Sequence, residues 1–79
     1  MTAIMELRKM ELKVTYDRSV DAAYIYLTDT DEYVVTRTIE AVPEQINLDF
    51  DRAGRFLGIE VLDAKHILSS HIIERAKRI

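Results

Sequence analysis

The chain has 79 residues, 48% of them apolar and 32% charged, with a net charge of −3 and no cysteine. That length holds one domain, and a chain of this size hides only roughly 60% of its unfolded surface on folding, so its margin of stability is thin. The lack of cysteine excludes a disulfide framework and a thiolate zinc site, and the acidic balance, with a pI of about 5.3, argues against a broad phosphate-binding surface and so against nucleic acid as a partner.

Residues 1–9 place Ile4, Met5 and Leu7 between charges, and no apolar run there approaches a signal h-region or a membrane span. They read as an N-terminal extension, flexible or helical, on a cytoplasmic protein with no membrane partner. Residues 10–79 form the single α+β domain.

The first strand is expected over 10–16, where Met10, Leu12, Val14 and Tyr16 alternate with Glu11, Lys13 and Thr15. Asp17, Arg18 and Ser19 supply a turn. The second strand, 22–28, is built on Ala22-Ala23-Tyr24-Ile25-Tyr26-Leu27, apolar on both sides and rich in β-formers. The polar run Thr28 to Glu32 is a loop, and a half-exposed third strand follows over 33–40, carrying Arg37 and Glu40.

Pro43 cannot donate to a ladder and belongs between strands. The fourth strand, 46–51, has the clearest alternation: Ile46, Leu48 and Phe50 against Asn47, Asp49 and Asp51. Asp51-Arg52-Ala53-Gly54 makes a short hairpin connection with Gly54 free to take positive φ. The fifth strand, 55–62, turns Leu57, Ile59 and Val61 inward and leaves Phe56 and Leu62 on its second side. Beyond Leu62 the period lengthens, and Leu68, Ile72, Ala76 and Ile79 predict one C-terminal helix over 64–78. Asp63 is a candidate cap for it, Ser69 or Ser70 for a shorter one, and Arg75, Lys77 and Arg78 would oppose the negative end of its dipole. The fold class is therefore α+β: a single antiparallel sheet of four to five strands in meander order, closed by one C-terminal helix.

Candidate chemistry is sparse. Asp49, Asp51, Gly54 and Glu60 fall at four places of a calcium-binding loop, but Ala53 and Leu57 stand where further ligands are needed and the flanks alternate as strands, not helices. His66 and His71 would lie about 140° apart on a helix, the wrong spacing for a shared metal. Asp17 and Asp51 at strand ends have turn formation as a sufficient role. Ser69, Ser70 and His71 lack a nucleophile-elbow pattern, and Gly54 and Gly58 do not make a phosphate loop. The tyrosines Tyr16, Tyr24, Tyr26 and Tyr33 lie without an interleaved basic stripe, so packing explains them better than base stacking. These readings leave no catalytic residue, metal or cofactor assigned.

Three blocks carry a resemblance. Lys13-Val14-Thr15-Tyr16-Asp17, then Asp21-Ala22-Ala23-Tyr24-Ile25-Tyr26-Leu27, then Leu48-Asp49-Phe50-Asp51 through Gly54-Arg55 to Gly58-Ile59-Glu60-Val61-Leu62-Asp63-Ala64 resemble the small bacterial domain-of-unknown-function 2283 family. The blocks span about Lys13 to Ala64. The chain departs from that pattern in starting some ten residues earlier, which makes Met10 a second candidate start, and in a longer, more basic C-terminal stretch. The resemblance implies no activity, catalytic residue or cofactor. Relatives encoded beside small toxins would imply an antitoxin-like role.

The expectation for function is a non-enzymatic interaction module that self-associates as a homodimer, because one helix cannot cover two doubly apolar strands. Tyr24, Tyr26, Phe56 and Leu62 are the candidate contact residues. The alternative is an antitoxin-like regulatory partner of a small toxin encoded nearby, using Arg75, Lys77 and Arg78. A small metal-dependent hydrolase using Asp49, Asp51, Glu60 and a histidine is the least supported reading.

Overall fold

A computed structural model describes residues 12–28 and 33–79; the expected N-terminal extension and the first residues of the expected first strand lie outside them. Six strands and two short helices follow one another: β1 (Lys13–Asp17), β2 (Ala22–Tyr26), β3 (Arg37–Val42), β4 (Ile46–Phe50), β5 (Phe56–Leu62), α1 (Ala64–Ile67), α2 (Ser70–Arg75) and β6 (Lys77–Arg78). The sheet runs in the order β3-β4-β5-β2-β1-β6. All neighbours are antiparallel except β1 and β6, which are parallel.

The α+β class stands and the first five strands pair antiparallel, but the sheet is mixed, with six strands where four to five are expected and β6 parallel to β1, and its order is not a meander. In a meander β3 would lie beside β2; instead β2 pairs with β5, Tyr24 opposite Glu60 and Tyr26 opposite Gly58, and β3 occupies the far edge. The physical reason lies in the strands themselves. β2 needs cover on both sides and takes a central place between β1 and β5, whereas β3 is exposed along its length and suits an edge. The connection leaving β2 also outlasts a hairpin loop: residues 33–36 lie outside any strand, with the Thr36 N–H already bonded to the Phe50 carbonyl at 2.9 Å, so the third strand begins at Arg37, later than the sequence predicts.

The single closing helix is also corrected. Leu68 leaves the helical region at φ −96° and ψ 148°, and α2 restarts with the Ser69 side chain accepting from the Ile72 N–H at 3.4 Å. Ala76 is extended again, and the chain runs into β6, Thr15 opposite Lys77 and Tyr16 opposite Arg78. The basic end therefore closes the sheet instead of finishing a helix, and the Arg78 guanidinium lies 5.0 Å from the centre of the Tyr16 ring. The expected stripe is split accordingly: Leu68 and Ala76 reach the core, while Ile72 and Ile79 stay exposed.

Asp63 occupies the N-cap position of α1, but its side chain makes no cap bond. It takes left-handed geometry at φ 55° and turns its carboxylate to His66 Nδ1 at 2.8 Å. The cap comes from the β1–β2 turn: the Asp21 carbonyl accepts from Ala64 N–H at 3.0 Å, and its Oδ1 accepts from Lys65 N–H at 3.2 Å and from the Tyr16 hydroxyl at 2.8 Å. Asp21 thus ties the first turn, the first core side chain and the first helix together.

The helices cover only part of the sheet. The core comprises Tyr16, Ala23, Val61, Ala64 and Ala76, with Val14, Ile25, Ile59, Ile67, Leu68 and Ile73 packed against it. All of these belong to β1, β2, β5 and the C-terminal segment. Among the described residues β3 and β4 contribute none.

Candidate functional site

The two sides of the sheet differ. Strand register puts Tyr24 and Tyr26 of β2, Gly58 and Glu60 of β5, Asn47 and Asp49 of β4 and Thr38 of β3 on one side, because directly opposed residues of antiparallel strands share a face. Ile25, Ile59, Leu48 and Ile39 share the other. The first side is polar and internally bonded. The second is apolar, with the helices over one half of it.

On the polar side the Asp49 carboxylate accepts from the Tyr24 hydroxyl at 2.6 Å and from Thr38 Oγ1 at 2.6 Å. The Tyr24 hydroxyl also meets that of Tyr33. Because Tyr24 gives its one proton to Asp49, Tyr33 donates to Tyr24. The chain of donors runs Tyr33 to Tyr24 to Asp49 and fastens the segment entering β3 to β2 and to β4, over the intervening β5. Tyr26 completes an aromatic group, 4.7 Å from Tyr24 and 5.3 Å from Tyr33 between ring centres, with the Lys13 ammonium 5.0 Å from its own.

Gly58 makes room for this group. A Cβ there would come within 2.5 Å of Tyr24 Cε1 and 2.6 Å of its hydroxyl, and closer still to the Tyr33 hydroxyl. Burial, then the bonds to Asp49 and Tyr33, pushes the Tyr24 pKa well above the usual tyrosine value; burial also raises that of Tyr33. Protonated, mutually bonded hydroxyls are the opposite of an activated nucleophile or base. The cluster acts as a clamp.

The other carboxylates singled out in the sequence are not brought together. Asp51 shapes its turn, accepting N–H bonds from Ala53 and Arg55 at 2.9 Å and the Arg55 guanidinium at 2.8 Å. The Arg55 backbone N–H, ahead of its side chain, draws the Asp51 pKa below the usual range. Asp17 accepts from the Ser19 N–H and hydroxyl, and Glu60 accepts from Asn47 Nδ2 at 2.9 Å. His66 bonds to Asp63, which raises its pKa. Among the described residues no group of three or more histidines and carboxylates is placed to hold a metal ion.

The apolar side is the one left open. Along β4 the only buried residue is Asp49, on the polar side, while Ile46, Leu48 and Phe50 are half-buried. This inverts what alternation leads one to expect, because the cover on the apolar side ends before it reaches β4. Ile39 and Val42 of β3 stand 37% and 38% exposed, and Phe56, stacked on Phe50 with ring centres 5.3 Å apart, is 43% exposed. Val34 and Val35, leading into β3, are exposed as well.

The four candidate contact residues are divided by this geometry. Tyr24 and Tyr26 lie on the polar side, as does Leu62 through its pairing with Ala22; Phe56 belongs to the open patch with Phe50. Arg75, Lys77 and Arg78 are exposed near the opposite, β6 edge. The sequence reading missed Ile39 and Val42, which three residues apart share a side only through the bulge between Glu40 and Val42, and the clamp, whose signal was a glycine inside a strand.

Fold and surface together define a small sheet domain with an internally bonded polar face and a half-covered apolar one. Among the described residues no helix is long and apolar enough to cross a membrane. The chain belongs to the family described as "Protein of unknown function (DUF2283)", which matches residues 13–65, more than half of the chain. Neither the curated proteins nor the solved structures yielded a match.

Proposed function

We propose that this domain is a non-enzymatic interaction module that works as an assembly of like copies, joined over the open apolar half formed by β3, β4 and Phe56. The observation that carries the reading is the inverted burial of β4: a carboxylate is its buried residue while three large apolar side chains on the other side keep part of their surface in water. At about 25 cal/mol per Å² of apolar surface removed from water, covering them and their β3 neighbours favours association.

The thin core supports the same reading. Of the buried apolar residues among those described, Tyr16, Ala23, Leu57, Val61, Ala64 and Ala76, half are alanine, so this core derives little stability from large side chains. Small domains of this kind are commonly completed by oligomerisation, and no disulfide can substitute in a chain without cysteine. The test is sedimentation velocity across micromolar concentrations. A dimer that dissociates when Ile39 is replaced by Lys supports the proposal, and a folded wild-type monomer throughout the range refutes it.

A further inference from the structure

The covered and open halves of the apolar side differ in height. The segment holding α1 and α2 packs over β1, β2 and β5 on Tyr16, Ala23 and Val61, while among the described residues β3 and β4 lend no side chain to that core. A helix with its side chains is about 10–12 Å thick, and two sheets pack face to face about 10 Å apart. A second sheet laid on the open half therefore occupies the same layer as the helices. We infer that two copies interlock about a two-fold axis parallel to their strands, the open half of each seated in the step beside the other's helices. This rests on the self-association proposed above and names the symmetry that covers the whole patch.

The step selects the axis. A two-fold axis perpendicular to the sheet joins edges and leaves the apolar sides in water. An axis in the plane of the sheet but across the strands sets the helices of one copy against those of the other and holds the open halves two helix layers apart. Rotation about an axis parallel to the strands turns the second sheet over and carries its helices to the opposite flank, so the open halves meet while the helices clear each other. The strands of the two sheets then run in nearly the same direction, about 30° apart, as in aligned sheet sandwiches.

The side chains of the open half fit this symmetry. They form cross-strand rows: Arg37 with Phe50, Ile39 with Leu48, and Val42 with Ile46, the last brought to the same side by the bulge at Ala41. An axis running between β3 and β4 lays β3 of one copy on β4 of the other and preserves position along the strand, so each row meets itself. Ile39 packs on the partner's Leu48, and Val42 on the partner's Ile46. Arg37, the one charge in these rows, arrives over the partner's Phe50, which stacks on Phe56 with ring centres 5.3 Å apart; a guanidinium is attracted to such ring faces. The carboxylates of Glu40 and Asp49, opposite Asn47 and Thr38, stay on the outer sides of the assembly. β4 and Phe56 are covered together with β3.

Charge complementation followed by sedimentation velocity reads this pairing, with circular dichroism to confirm that each variant is folded. Ile39→Lys and Leu48→Glu are each expected to sediment as monomers. Their equimolar mixture is expected to dimerise at least about tenfold more tightly than either alone, because Lys meets Glu in one contact while Ile39 and Leu48 remain in the other. Mixing Ile39→Lys with Ile39→Glu is expected to recover no dimer, since each charge then faces a leucine. Val42→Lys with Ile46→Glu serves the same comparison if Leu48→Glu does not fold. A wild-type dimer for which the second mixture recovers association as well as the first, or for which neither mixture recovers it, overturns the interlock and leaves self-association standing. A wild-type chain that sediments as a monomer overturns both.

Discussion

The two halves of this sheet are built from similar strands and meet different fates. Around β1, β2 and β5, the side chains of Tyr16, Ala23 and Val61 pack under α1 and α2, and Asp21 fastens the arrangement with bonds to the Tyr16 hydroxyl and the first helix. Around β3 and β4, Ile39, Val42 and Phe56 have the same apolar chemistry without that cover. What differs is the reach of the C-terminal segment. Two short helices and a two-residue strand return over the near half and stop there. The far half is held instead from its polar side, by Tyr33, Tyr24, Thr38 and Asp49. One half is stable by burial; the other is pinned from behind with its apolar surface free.

The largest expected effects break this contrast directly. Val61→Ala, at 2% exposure, should cost about 1.5–3 kcal/mol in urea or thermal unfolding through lost transfer energy and the cavity left behind. Ile39→Ser should change the unfolding of dilute protein by no more than about 0.5 kcal/mol, and instead abolish the concentration dependence of its melting temperature. Equal destabilisation by the two substitutions in dilute protein would show that both halves are sealed.

Gly58→Ala probes the clamp. Its Cβ would collide with Tyr24 and Tyr33, and overpacking of this kind costs about 1–3 kcal/mol. Removing the Tyr33 hydroxyl in the same chain, Tyr33→Phe, should recover part of that loss, which a double-mutant cycle on chemical unfolding would detect as coupling. Additive effects would show that the two residues do not meet.

The smallest effect is at the exposed β4–β5 turn. The Asp51 pKa is drawn below the ordinary aspartate value, so its contribution is present above the unfolded-state pKa and fades as pH falls through the lower folded-state value. Asp51→Asn should therefore be measurably less stable than wild type at pH 7, with the difference closing in strong acid. A difference that persists or widens there would assign the effect to side-chain shape and not to charge.

Much of the fold was legible because local chemistry agreed with it. Alternation located β4 and β5, Gly54 turns the hairpin at φ 83°, Pro43 lies between strands, and Asp17 and Asp51 form turns. The failures have a common cause: each concerned a partner distant in sequence. The cap of α1 comes from Asp21, far upstream, and the pairing of β2 with β5 in place of β3 depends on a crossing that no local period records. Lys77 and Arg78 had the charges of a helix end, and only β1 gives them a strand to join. The candidate contact surface was half legible. Phe56 belongs to the open patch, but Tyr24, read as a contact residue, turns its hydroxyl to Asp49, a bond across the sheet from a side chain that alternation alone assigns to solvent.

The central claim, that the open half is where copies meet, is tested most directly by hydrogen exchange measured strand by strand as protein concentration rises from low micromolar to near millimolar. Amides of an open strand exchange readily, and those covered by a partner do not. The account predicts that protection across Arg37–Val42 increases with concentration while β1 and β2 are unchanged. Protection at β3 that is independent of concentration, or an increase confined to the β1–β6 edge, would contradict it.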